Sequence, residues 1–163
     1  MADNSIQFCQ RCGTPLITKH HSGKLRPICP ACGWVYFPDP KVAVVVLIKE
    51  NDQVLLVQRR YDPQKGHWTL PSGFVDAGED PMEAVVRECL EETGLTVGDV
   101  RLLDVIYSSE YPRGASILIL YQAQRIEGEL RPGDDARQVR FYNRDNLPPL
   151  AFLSTRHIMD TYF

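Results

Sequence analysis

The stretch GFVDAGEDPMEAVVRECLEETGL, residues 73–95, decides how this chain is read. Its marked positions are Gly73, Glu79, Arg87, Glu88, Glu91, Glu92 and Gly94. With each filled by chance at roughly 7%, the pattern arises at on the order of 10⁻⁸ per start site, so coincidence is a poor explanation. Asp80 can cap a helix N-terminus, Pro81 suits the first helical position, and Glu83 stands where a capping-box acid would. Gly94 supplies a left-handed stop, and the spacing predicts a helix from about Pro81 to Thr93. At 3.6 residues per turn, Met82, Val85, Val86, Cys89, Leu90 and Thr93 form an apolar stripe expected to face a sheet. Glu88, Glu91 and Glu92 are expected on the opposite side with the small Ala84, repelling one another by about 0.2–0.5 kcal/mol per pair. Magnesium would offset that repulsion, because it takes oxygen ligands and is usually held by one or two carboxylates together with substrate phosphates. A solvated glutamate-rich face is the bland alternative, and the glycine loop before the helix and the basic Arg87 weigh against it.

This run resembles the signature box of the Nudix hydrolases, enzymes that cut a diphosphate joining a nucleoside to another group. The resemblance implies Mg²⁺ or Mn²⁺ held directly by Glu88 and Glu92, by Glu91 directly or through water, and by the backbone carbonyl of Ser72. It also implies that Glu79 and Arg87 pair and brace the loop on the helix, with Gly73 and Gly94 as structural positions of the box. Cys89 replaces the usual aliphatic residue, a mild departure because a buried thiol behaves as a small hydrophobe. The family often draws its general base from a later loop acid, which leaves Glu110, Asp134, Asp135 or one of the box glutamates as candidates. Gln138 stands where relatives commonly carry glutamate, so the base is left open.

Outward from the helix, Val42 to Ile48 reads as a buried strand, Glu50-Asn51-Asp52 as a hairpin turn, and Val54 to Val57 as the returning strand. Trp68-Thr69-Leu70 is a short strand entering the Pro71-Ser72-Gly73 loop. Further strands are expected at about Leu102 to Ser108, Ile117 to Ala123 and Val139 to Tyr142, then a C-terminal helix capped at Ser154 and running to Tyr162. Strands interspersed with two helices give an α/β layer with a mixed sheet, and the resemblance sharpens this to an α/β/α sandwich from about Lys41 onward.

Upstream, Cys9/Cys12 and Cys29/Cys32 form two pairs with two residues inside each, the spacing of a zinc ribbon, and Gly13 and Gly33 follow each pair as knuckle-turn residues. Two disulfides in a secreted chain are the alternative, disfavoured by the absence of a secretory signal and by the odd fifth cysteine. Four thiolates close a tetrahedral site, so this Zn²⁺ is expected to be structural, with His20 and His21 as hairpin or loop residues. The proline-flanked step Phe37-Pro38-Asp39-Pro40 marks the expected boundary, residues 1–37 forming the ribbon and 38–163 the hydrolase domain. A hydrophobic content of 44% over 163 residues suits a globular chain, and no apolar run is long enough to span a bilayer, so a cytoplasmic location without membrane attachment is expected. The net charge of −3 disfavours a general grip on nucleic acid while leaving room for a local basic patch.

Phe8-Cys9 with Cys12-Gly13, Leu25-Arg26-Pro27-Ile28-Cys29, Pro40-Lys41, His67 to Pro71 and Leu150-Ala151-Phe152 together resemble plant-type FAD pyrophosphatases with an N-terminal zinc ribbon, whose relatives also accept ADP-ribose. The resemblance implies a small-molecule nucleotide substrate and AMP as a product. The array that marks NADH pyrophosphatases is missing after Leu95, which disfavours NADH, while Pro112 hints at ADP-ribose and Tyr111 at dinucleoside polyphosphates. Arg59 and Arg60 are candidates to neutralise phosphate, and Trp68, Tyr107, Tyr111 and Phe152 to stack on a base, against the plainer readings of surface and core residues. The family often dimerises, and an exposed ribbon is a natural homodimer contact. The rival class is a nucleotide sensor, or a zinc-ribbon RNA- or protein-binding module, without catalysis; no box residue is missing in the way a sensor would show, and Lys19, Lys24 and Arg26 make only a thin basic cluster.

Overall fold

The computed structural model describes residues 6–110 and 114–163, in two compact units, Met1–Asp39 and Pro40–Phe163. Among the described residues no helix is long and apolar enough to cross a membrane.

In the first unit, β1 (Ile17–His21) and β2 (Lys24–Ile28) form an antiparallel hairpin, with Lys19 opposite Arg26 and His21 opposite Lys24. Two matching knuckles flank it. Gly13 N donates to Cys9 O at 2.9 Å and Gly33 N to Cys29 O at 3.0 Å, and both glycines have a φ near +72°, a region that suits glycine.

In the second unit, β3 (Val42–Glu50) and β4 (Gln53–Arg59) are joined by a two-residue turn in which Asn51 and Asp52 both have positive φ, a conformation these two residue types tolerate. Their ladder holds only at the turn, Lys49 opposite Val54 and Glu50 opposite Gln53, and then forks. Beyond the fork, β3 pairs antiparallel with β6 (Ser72–Phe74) and parallel with β8 (Ile117–Gly128), which carries β7 (Leu95–Tyr107) at the edge. On the other branch β4 pairs with β5 (Trp68–Thr69) and β9 (Ala136–Asn143). The sheet is therefore mixed and seven-stranded, with helix α1 (Pro81–Thr93) on one face and α2 (Leu153–Tyr162) on the other.

Strand period explains why the apolar runs do not alternate with polar residues. Val44, Val46, Ile48, Leu55 and Val57 pack toward α1 with Val85 and Cys89, whereas Val45, Leu47, Val54 and Leu56 pack toward α2 with Ile158 and Met159. Both faces are covered, so every position along β3 from Ala43 to Ile48 is buried.

Three expectations are corrected. Strand β7 starts at Leu95 and β8 runs on to Gly128, because register shifts after Thr96, Gly98 and Leu102 break the alternation by which a strand is recognised. Helix α1 is rolled relative to its apolar pattern: Met82, Val86 and Leu90 are exposed, while Ala84, Glu88 and Glu92 join Val85, Cys89 and Thr93 in the buried set. Helix α2 is not capped by Ser154; it begins one residue earlier, and its N-terminus is capped from outside by Glu110, whose carboxylate accepts from Leu153 N at 2.7 Å and Ser154 N at 2.8 Å. These are two of the N–H groups a helix start leaves unpaired, and a negative charge there is favourable. Replacing the carboxylate, Glu110→Ala, is expected to cost about 1 kcal/mol and lower the thermal midpoint by about 2–4 °C, as measured by calorimetry.

Candidate active site

Helix α1 begins where Asp80 Oδ1 accepts from Met82 N at 2.8 Å, and ends where Gly94, at φ +72°, donates to Leu90 O. Between those caps the roll of the helix is set by the loop in front of it. A Cβ on Gly73 would overlap the Glu88 carboxylate, so glycine there lets that acid lie flat on the backbone of β6. Glu92 lies one turn on, and its Oε2 accepts from Ser72 N at 2.9 Å. Both glutamates are thus buried at 7% and 4% exposure, in a helix whose exposed side is partly apolar.

One guanidinium organises the cluster. Arg87 donates to Glu79 through Nε at 2.7 Å and Nη2 at 2.9 Å, to Glu88 Oε1 at 2.6 Å, to Glu91 Oε2 at 3.1 Å and to the carbonyl of Phe74 at 2.9 Å. Glu79 in turn accepts from Asp76 N, and the Arg87 contact holds its carboxyl down at about 2. Glu88 and Glu92 shift the other way. Burial raises both, more strongly for Glu92; Arg87 opposes the rise at Glu88, while Asp134 near Glu88 and Asp135 near Glu92 add to it.

The loop that brings those aspartates is fastened to the end of α1. Arg131 N donates to Thr93 O at 3.0 Å and Gly133 N to Glu92 O at 3.2 Å, satisfying carbonyls that a helix C-terminus leaves open. A Cβ on Gly133 would strike the carbonyl of Glu91, so the close approach requires glycine. Asp134 and Asp135 are thereby brought near Glu88 and Glu92, while Arg87 pairs with Glu79, Glu88 and Glu91.

A cavity of about 720 Å³ opens beside this cluster and reaches to α2. Ser72, Gly73, Glu88, Asp134 and Asp135 form its acidic end, Ala43, Val45, Leu118 and Ile158 its apolar wall, and Arg59 and Phe152 also line it. Arg59 lies over the Phe152 ring with its guanidinium carbon 5.1 Å from the centroid, and its Nε donates to Pro63 O at 2.7 Å.

The residues singled out from the sequence are thus not all on one wall. Glu110 lines the cavity, but both its oxygens are engaged at the start of α2. Arg60 is off the cavity wall and donates to Ala136 O at 3.0 Å. Trp68 is a core residue, 6% exposed and edge-on to Tyr142 at 4.9 Å, which corrects the expectation of a stacking surface. Tyr107 is exposed and away from the cavity, and Tyr111 with Pro112 lies outside the described residues. The sequence reading missed Thr69 and Thr155, buried on the cavity wall with their hydroxyls 3.0 Å apart. A threonine on the inward face of α2 is the one signal that could have pointed to them.

In the first unit, the four cysteine sulfurs all lie within 4.8 Å of one another, the one such set of three or more metal-ligating groups among the described residues. Cys9 and Cys32 are 3.6 Å apart, and Cys12 is 3.5 Å from Cys29 and 3.6 Å from Cys32. A tetrahedron with Zn–S bonds of about 2.3 Å has edges of about 3.8 Å, so the quartet fits Zn²⁺ with little adjustment.

A family model described as NUDIX domain matches residues 38–162, and the chain belongs to that family, a Nudix-type hydrolase of phosphoric anhydride bonds. An ADP-ribose pyrophosphatase of Methanocaldococcus jannaschii is 46% identical over 123 residues, 74% of this chain and 72% of the relative. The NAD-capped RNA hydrolase NudC of Pseudomonas aeruginosa is 33% identical over 160 residues, 96% of this chain, and the chain spans 55% of that relative. A crystal structure of a NUDIX hydrolase from Nitrosomonas europaea matches with a TM-score of 0.81 at 27% identity, covering 96% of this chain and 92% of that one.

Two outcomes follow from this geometry. Because Glu79 is held near 2 when folded and returns to about 4.3 when unfolded, its share of stability is full above that pH and lost as pH falls toward 2. The thermal midpoint of metal-free protein should fall less steeply over this window in Glu79→Gln than in the wild type. Elemental analysis should find one zinc per chain, and none in Cys29→Ser.

Proposed function

We propose that residues 40–163 hydrolyse the diphosphate of an ADP-containing substrate, ADP-ribose or FAD, to AMP and a second phosphate product, with Mg²⁺ or Mn²⁺. The observation that carries this reading is the burial of Glu88 and Glu92 beside Asp134, Asp135 and a cavity large enough for a nucleotide. Buried like charges are costly unless paired, and a hard divalent cation is the partner such oxygens select. The name of the Methanocaldococcus jannaschii relative supports the substrate class.

In this reading Glu88 and Glu92, Glu91 and the Ser72 carbonyl hold the cation. Bound there, the metal supplies charge neutralisation for the diphosphate oxygens and a lowered pKa for water. Arg87 keeps Glu88 and Glu91 aimed by sharing one guanidinium between them, and Glu79 holds Arg87 in place. Asp134 and Asp135, on the acidic wall beside Glu88, are better placed than Glu110 to take the proton of the attacking water, because both Glu110 oxygens are turned to the backbone N–H groups at the start of α2. Arg59, held over the Phe152 ring at the cavity wall, serves the nucleotide by offering its guanidinium charge to phosphate.

A second reading, a nucleotide end joined to RNA, is favoured by one observation. The match to the Pseudomonas aeruginosa relative covers 96% of this chain and so reaches into the cysteine unit.

Zinc-loaded protein should be assayed with Mn²⁺ and Mg²⁺ against ADP-ribose, FAD, NADH, a dinucleoside polyphosphate and an NAD-capped oligoribonucleotide, with AMP release as the readout. ADP-ribose or FAD is expected to give the highest kcat/KM, and Glu92→Gln to lower kcat by about 10²-fold or more with unchanged circular dichroism. Nucleotide binding without turnover across the panel would replace the hydrolase reading with a sensor.

A further inference from the structure

The zinc-ribbon hairpin carries a surface that the hydrolysis reaction does not use. In an antiparallel pair, residues directly opposite one another project to the same side, and the register sets Lys19 against Arg26 and His21 against Lys24. Lys19, His21, Lys24 and Arg26 therefore share one face of β1 and β2. Phe37 lies across that face: the Arg26 guanidinium carbon is 4.4 Å from its ring centroid, and the His21 ring meets it edge-on at 6.2 Å. The Phe37 ring is half exposed, and among the described residues no acid pairs with Lys19, Lys24 or Arg26.

Charge is distributed unevenly along the chain. Residues 1–39 hold four Lys and Arg against two Asp, +2, so the overall −3 leaves −5 on residues 40–163. Four thiolates around Zn²⁺ carry −2, which brings residues 1–39 to neutrality against −5 on residues 40–163. Arg26 stands three residues along from Cys29, about 10 Å, and Lys24 five residues, about 17 Å, against a screening length of about 8 Å, so the positive potential of the face is greatest toward the tip of the hairpin.

We propose that this face is a docking surface for single-stranded nucleic acid, with phosphates on Lys19, Lys24 and Arg26 and a base stacked on Phe37. Cations alternating with an exposed aromatic ring are what a sequence-tolerant single-strand site consists of, since every base has a π-face and every linkage a charge. An acidic peptide would use the cations but not the ring, and a membrane surface would call for a broad apolar patch, whereas beside its cations this face offers Phe37 and a partly exposed Ile17 opposite Ile28. The proposal does not depend on which nucleotide the second unit cleaves.

The test is fluorescence anisotropy of a labelled short oligouridylate titrated with full-length, zinc-loaded protein across a salt series. Three phosphate contacts predict a slope of log affinity on log salt of about −2, and the double variant Lys19→Ala, Lys24→Ala should reduce its magnitude by about 1.4. Phe37→Leu should weaken binding by about 5- to 100-fold with the slope unchanged. Zinc content and the thermal midpoint report whether each variant is folded, and Lys19→Arg with Lys24→Arg should restore the wild-type slope. Turnover of ADP-ribose should be the same in all of these proteins; if no protein turns it over while binding behaves as stated, the hydrolysis reading fails and the docking surface stands. Absence of binding at low salt, a slope indifferent to the double variant, equal competition by polyglutamate, or preference for phosphatidylserine vesicles would each overturn the proposal.

Discussion

The pairing of Arg87 with three glutamates and a backbone carbonyl is the interaction on which the catalytic unit turns. Side by side without it, Glu88 and Glu91 would repel, and the loop from Ser72 to Asp76 would lose its fastening to the helix. The ligation is uneven. Glu79 receives two of the guanidinium donors and is held well below the usual carboxylate range, whereas Glu88 receives one and is raised by burial. One acid is therefore committed to the arginine and the others are left with lone pairs to offer elsewhere. An arginine suits this position because its planar fork presents several donors at fixed angles, which a lysine ammonium could not do.

The boundaries of α1 were legible because each end has a chemical mark: Asp80 and Pro81 at the start, and Gly94 at the stop, are readable without knowing the fold. The β3–β4 hairpin was legible for a similar reason, an Asn-Asp pair between two aliphatic runs. The roll of α1 was not legible, since an apolar-moment argument places Met82, Val86 and Leu90 inward and knows nothing of the loops that cover the other side. Gly73 and Gly133 decide that question by admitting Glu88 and the Glu91 carbonyl to distances no side chain would allow. The residues look alike in a sequence whether a glycine serves a turn or a close approach.

The same limit applies to the cavity. Glu88 and Asp135, expected at the site, do line it, but Trp68 reads as a stacking candidate by type and turns out to be core because its ring packs in the cluster on the α2 side of the sheet, edge-on to Tyr142. Glu110 reads as a spare loop acid, and its actual partner is a helix start more than forty residues away. Pairings of that span follow from topology and carry no local mark. The cysteine unit is the opposite case: its spacing and two glycines contain nearly all of its geometry, and only the clustering of charge on one hairpin face needed the strand register.

The fastening of the 131–135 loop to the last turn of α1 has a consequence for how a ligand would be received. The acids contributed by the helix and those contributed by the loop sit on what is mechanically one body, joined by backbone hydrogen bonds to Thr93 O and Glu92 O. Their mutual geometry is set as the chain folds, so the entropy of arranging five carboxyl groups falls on folding more than on each encounter. A ligand entering the cavity would meet two walls already fastened to one another.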